Sequence, residues 1–192
     1  SSEFLVVNSK NLLPTEVSIF VFFATIFTYN FQRIVRISKS QKHNRKDWTQ
    51  KNKFLIYLLM IISSVISLYF FSNFKTNTQI AIIFSGIISF LYPFGLRKIP
   101  FSKIFFISLI WTTSTMLLLI LEEEIIFSSN IIAHLIIRFL FVFAICIPFD
   151  IRDVKYDNIK LKTIPMYFGV SKSKLISFIC LLFSIIISTF QY

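Results

Sequence analysis

The sequence predicts an all-α protein, a polytopic transmembrane helical bundle. Two observations carry that expectation: the apolar residues come in long runs, and the basic residues crowd into alternate connections. Hydrophobic residues make up 55% of the 192 positions. They form runs of about 17 to 21 residues, the length that crosses roughly 30 Å of hydrocarbon at 1.5 Å per residue. A soluble helix of this length would confine them to one stripe.

Six spans follow in order, at residues 15–32, 54–71, 78–95, 104–121, 131–149 and 175–190. Residues 1–14 read as an interfacial stretch or short loop. The first run has no basic segment before it and no small-residue cleavage site after it, so it reads as a span and not a signal peptide. It closes on Tyr29-Asn30-Phe31-Gln32-Arg33, and the third closes on Tyr92-Pro93-Phe94-Gly95-Leu96-Arg97-Lys98. The fifth runs directly into Asp150. With three Gly in the chain, close helix approach must rely on Ser, Thr and Ala. Cys146 and Cys180 lie within apolar runs without ligand or redox spacing and read as small buried hydrophobes. The 25 Phe carry little functional weight, because an AT-rich genome also favours Phe, Ile, Lys and Asn. No repeat, linker or second soluble domain is visible, so residues 1–192 read as one membrane domain.

The formal net charge is +11. On a soluble fold that excess could suggest a nucleic-acid partner, with bases interleaved among polar and aromatic surface. Here, of the 20 Lys and Arg, all but Lys10, Lys75 and Arg138 fall in the segments 33–53, 96–103 and 150–174. The alternate connections carry Lys75 alone, or Glu122, Glu123 and Glu124 with no base. This is a topology signal, and it excludes a nucleic-acid function. It puts the basic face in the cytoplasm and both ends of the sequence outside. Anionic lipid headgroups are natural contacts for the 34–52 segment.

The strongest chemical feature is Asp150-Ile151-Arg152-Asp153-Val154-Lys155-Tyr156-Asp157. On a helix wheel Asp150, Asp153 and Asp157 form one stripe, with Arg152 and Lys155 opposite. Carboxylates so placed repel one another and sit at the helix end that disfavours anions. A hard divalent cation such as Mg²⁺ relieves both problems. The alternative is a solvated helix end with Lys160 or Arg97 as partners. Tyr92, Arg97, Lys98 and Lys103 share the basic face and could hold phosphate oxygens, or simply form an aromatic belt with positive-inside charge. Asn30 and Arg33 lie one turn apart at the membrane edge, where the Asn could meet a metal or substrate. His134 and Arg138 lie inside the fifth span. Arg138 is expected to snorkel outward to Glu122, Glu123 or Glu124, and His134 to pack between helices.

These residues resemble the UbiA-type intramembrane prenyltransferases. The acidic stretch followed by Lys162-Thr163-Ile164-Pro165 and Gly169 is similar to that family's second aspartate-rich motif. Tyr92-Pro93 with Arg97, Lys98 and Lys103 is similar to its basic segment two spans earlier. Tyr29-Asn30 stands where its first aspartate-rich motif belongs, but Phe31, Ile34 and Ser38 replace the acids expected there. The resemblance covers most of the chain and implies part of a nine-helix fold, with flanking helices beyond both ends. It implies a transferase in a bacterial inner membrane, with its active face in the cytoplasm. The reaction would move an isoprenoid chain from a prenyl diphosphate to an acceptor. Asp150, Asp153, Asp157 and Asn30 would hold Mg²⁺, and Arg33, Tyr92, Arg97, Lys98 and Lys103 would bind diphosphate. The eroded first motif keeps a second possibility open, a non-catalytic lipid-binding or scaffold relative. A phosphatidyltransferase would want Gly between its acids, and a transporter would want matched broken helices.

Overall fold

The computed structural model describes residues 15–38, 44–96, 99–154 and 162–190. Among them the regular structure is all helical: α1 Thr15–Ser38, α2 Asn44–Lys51, α3 Lys53–Asn73, α4 Thr76–Leu91, α5 Ser102–Glu122, α6 Ser129–Asp153 and α7 Ile164–Thr189. Five of these are long and apolar enough to cross a membrane: α1 over Glu16–Val35, then α3, α5, α6 and α7. The chain is an integral membrane protein. Its surface agrees, since Phe54 is 81% exposed and Ile61, Val65 and Leu68 on α3 lie open beside it. A water-facing helix would not present such a stripe, whereas lipid accepts it.

The third expected span is shorter than its apolar run. Helix α4 has 16 residues, about 24 Å by helix rise, and ends ahead of Pro93. Pro93 has no N–H to donate to the carbonyl of Ser89, four residues back. Gln32 of α1 supplies the missing donor, its Nε2 donating to Ser89 O at 3.1 Å. The same device recurs in α6, which carries Pro148 inside the helix. There the carbonyl left over is Ala144 O, and Ser177 Oγ of α7 donates to it at 2.8 Å. Prolines persist in membrane helices where a neighbouring helix satisfies the freed carbonyl in this way.

The last helix starts earlier than the apolar run. Pro165 lies in its first turn, where a missing N–H costs nothing. At Gly169 the backbone leaves helical geometry, with φ 78° and ψ 167°, a conformation that needs glycine. Lys172 and Lys174 hide this early start in the sequence. Helix α5 contains a π-helical turn over Thr113–Leu117, where Ser114 and Thr115 hydroxyls donate to Ile110 O and Trp111 O. The expected pairing of Arg138 with Glu122, Glu123 or Glu124 is not found among the described residues. Arg138 lies nine residues into α6, about 13 Å along its axis.

The helices group into two compact units, one ending at Pro93 and one starting at Phe94. In the first, α1 packs on α3 and α4, with the Phe20 ring edge-on to Phe74 at 5.4 Å. In the second, α6 lies between α5 and α7. Small polar residues fill the closest approaches, as the scarcity of Gly predicts: Ser63, Thr78, Ser108 and Ser173 are all but fully buried.

Candidate functional site

The second unit brings two of the sequence-selected residues together. Asp150 lies in the last turn of α6 and is 3% exposed. Lys103, in the first turn of α5, places Nζ 2.7 Å from Asp150 Oδ1. Each charge stands at the helix end that disfavours it, the anion at a C-terminus and the cation at an N-terminus. Neither helix gains from its own charge, and the ion pair offsets both penalties. Ile104, Ile147 and Ile164 form the apolar cluster beside the pair in sequence, one from each of α5, α6 and α7.

The approach to Lys103 is held by strained backbone. Phe101, ahead of α5, is left-handed with φ 62°, and Lys162, ahead of α7, has φ 40°. Both are non-glycine residues in a region their side chains disfavour. Phe101 N donates to Lys162 O at 3.3 Å, so the two strained residues hold each other. The Phe101 ring packs edge-on to Tyr167 at 5.5 Å and stacks on Phe168 at 5.8 Å. Ser102 Oγ donates to Leu96 O at 2.7 Å, which fixes the start of α5. Thr163, between Lys162 and Ile164, is buried, and its hydroxyl has no hydrogen-bond partner among the described residues.

Asp153 is the last residue of α6 and is partly exposed. Arg152 Nε donates to its Oδ1 at 2.9 Å while the guanidinium lies over the Phe149 ring at 5.4 Å. The wheel put Arg152 opposite the acids. At the helix end its long side chain curls back to the adjacent carboxylate, so the acids are not clear of neighbouring bases. An exposed pair of this kind is worth little. Asp157, Arg97 and Lys98 lie outside the described residues, and with them the third member of the stripe.

The remaining selected residues belong to the first unit. Asn30 is buried and donates Nδ2 to Ile26 O of its own helix at 2.9 Å. Arg33 stacks its guanidinium over Trp48 of α2, 4.5 Å from the ring centroid. Tyr92 is buried just past the end of α4. Among the described residues no three His, Cys, Asp or Glu side chains converge as a metal-ligand group. Asp150 and Asp153 offer carboxylate oxygens of the kind Mg²⁺ takes. Lys103 engages one oxygen of Asp150 and Arg152 one oxygen of Asp153, so either base competes with a metal for part of its carboxylate.

Sequence reasoning missed the Lys103–Asp150 pairing and the strained Phe101–Lys162 contact. No local signal announces either. No family model, curated protein or solved structure matches the chain.

Proposed function

We propose that the chain is a membrane-embedded transferase that moves an isoprenoid chain from its diphosphate to an acceptor, at the cytoplasmic face. The observation that carries this reading is the buried Lys103–Asp150 pair at the end of an apolar helix, with Asp153 one turn on. A buried ion pair is poor value as a stabilising device, and an ionisable group at membrane depth is a functional candidate by default. The motif resemblance points the same way.

In this reading Lys103 moves from Asp150 to an oxygen of the incoming diphosphate. The Asp150 carboxylate so released, with Asp153 and Asp157, would hold Mg²⁺, whose chemistry is to neutralise charge on the departing diphosphate. Lys103 shares that charge as the carbon–oxygen bond breaks. The apolar helices keep water from the cationic carbon left behind.

The test is diphosphate release from labelled prenyl diphosphates of several chain lengths, with the purified chain in vesicles and Mg²⁺ present. Asp150→Asn and Asp153→Asn should each lower turnover by about 100-fold. Full activity in Asp153→Asn would sink the metal role, and no turnover above background by the parent chain would sink the transferase.

One observation favours a second reading. Asp150 and Asp153 are already partnered by bases, as would suit a lipid-binding or scaffold protein that has given up catalysis. The same assay separates the two.

A further inference from the structure

Helix α6 carries two polar side chains deep in its apolar run that the proposed reaction does not use. His134 and Arg138 lie one turn apart and are half-buried. Among the described residues neither makes a hydrogen bond or an ion pair. At about 100° per residue they share one stripe with Phe141, Ile145 and Phe149, all three exposed. The side of α6 that holds its neighbours lies opposite. There Ile147 packs on Ile104, Asp150 meets Lys103 and Ala144 O takes the Ser177 hydroxyl. Ile131 and Val142 flank the stripe on one side and are buried. The stripe is therefore an open helix face, apolar along most of its length, with a guanidinium set into it.

Depth says what meets that guanidinium. Lys103 and Glu122 stand at the two ends of α5, about 28 Å apart by helix rise, close to the roughly 30 Å of a hydrocarbon core. Asp150, paired with Lys103, marks the same edge on α6. Arg138 lies about 18 Å from Asp150 along the helix, and so about 12 Å beneath the Glu122 edge. Side chains lean toward the start of their helix, which carries the guanidinium about one turn, 5.4 Å, toward that edge. It still stands roughly 6–7 Å inside the hydrocarbon, short of lipid phosphates, which lie outside the core. An intramembrane Arg is costly, and such residues pair with an opposite charge at their own level. Each acid of the described residues stands at a helix end, in the short α2 or in the turn after α5, so a second copy of these helices does not supply it. We propose that the His134–Arg138 stripe docks a transmembrane helix of a partner membrane protein, one that carries an Asp or Glu at the depth of Arg138. The carboxylate closes an ion pair with the guanidinium, and Phe141, Ile145 and Phe149 pack along the rest of the helix. The proposal does not depend on the transferase reading.

The experiment puts the purified full chain and synthetic Leu/Ala transmembrane peptides into phosphatidylcholine vesicles and follows association by energy transfer. One peptide carries Glu about 12 Å into its span, a second carries Gln at that position, and a third carries Glu at the edge of the span. The deep-Glu peptide should bind about tenfold more tightly than either control, the scale of a polar contact between membrane helices. Arg138→Leu should bind all three alike. Its unfolding midpoint in detergent should be unchanged or raised, because the substitution removes an unpaired charge from an apolar setting. The proposal is overturned if the parent chain binds the deep-Glu and Gln peptides alike, if edge Glu serves as well as deep Glu, or if Arg138→Leu keeps the preference. It also falls if Arg138→Leu fails to fold or unfolds earlier, since the guanidinium then serves the chain's own fold. Loss of the preference when phosphatidylglycerol is added to the vesicles overturns it in favour of a lipid phosphate.

Discussion

At the scale of single residues, the pairing of Lys103 with Asp150 governs what a substitution does. Removing one partner breaks a buried ion pair, which costs about 3–5 kcal/mol. Lys103→Met and Asp150→Leu should each lower the unfolding free energy in detergent by that measure. The double variant should recover most of the loss, because an apolar pair of similar volume is often neutral or better. If the double variant is as unstable as the sum of the singles, the two side chains do not depend on each other. The acids themselves were legible in the sequence, since three carboxylates on one stripe at a span's end are hard to explain as structure. Their partner was not legible. Lys103 and Asp150 meet only because α5 and α6 pack side by side, and spacing along the chain carries no trace of that.

At the scale of elements, the two prolines and one glycine decide where helices end, bend or break. Ser177→Ala should cost about 0.6 kcal/mol, and no more than about 1.7, the average and the maximum for hydrogen bonds between membrane helices. Restoring a backbone donor with Pro148→Ala lets residue 148 bond Ala144 O itself. In that background Ser177→Ala should be nearly silent, a coupling that a double-mutant cycle of unfolding free energies measures. Equal costs in both backgrounds would mean that Ser177 does not serve the carbonyl freed by Pro148. Gly169→Ala should destabilise by about 1 kcal/mol or more, because φ 78° admits no Cβ without strain. Gly95→Ala, where a Cβ meets nothing within 4 Å and φ is not positive, should be close to neutral. Long apolar runs made α1, α3, α5 and α6 readable to within a few residues. The reading of α4 was as close, but ran four residues past Leu91, and that of α7 missed its early start at Ile164, because hydropathy records what a segment dissolves in and not whether its backbone can continue as a helix.

At the scale of the whole molecule, strongly basic connections alternate along the chain with ones that carry Lys75 alone or Glu122, Glu123 and Glu124, and the topology this pattern predicts is one that labelling can check. In a cysteine-free background, Lys172→Cys should react with a membrane-impermeant maleimide only after cells are opened. Lys75→Cys should react in intact cells. The reverse pattern would invert the protein and place Asp150 on the outer side. Membrane class and helical fold were readable because the bilayer imposes its thickness directly on composition. The division into two units was not, since it depends on which helices touch. The proline caps also bear on synthesis, which runs from the N-terminus. Gln32 enters the membrane before Ser89 does, so the carbonyl freed by Pro93 finds its donor already waiting. Ala144 precedes Ser177, so α6 emerges from the insertion machinery with a bare carbonyl facing lipid, which costs several kcal/mol until it is met. The fifth span should therefore linger at the translocon until the sixth arrives, and the two should leave it as a pair.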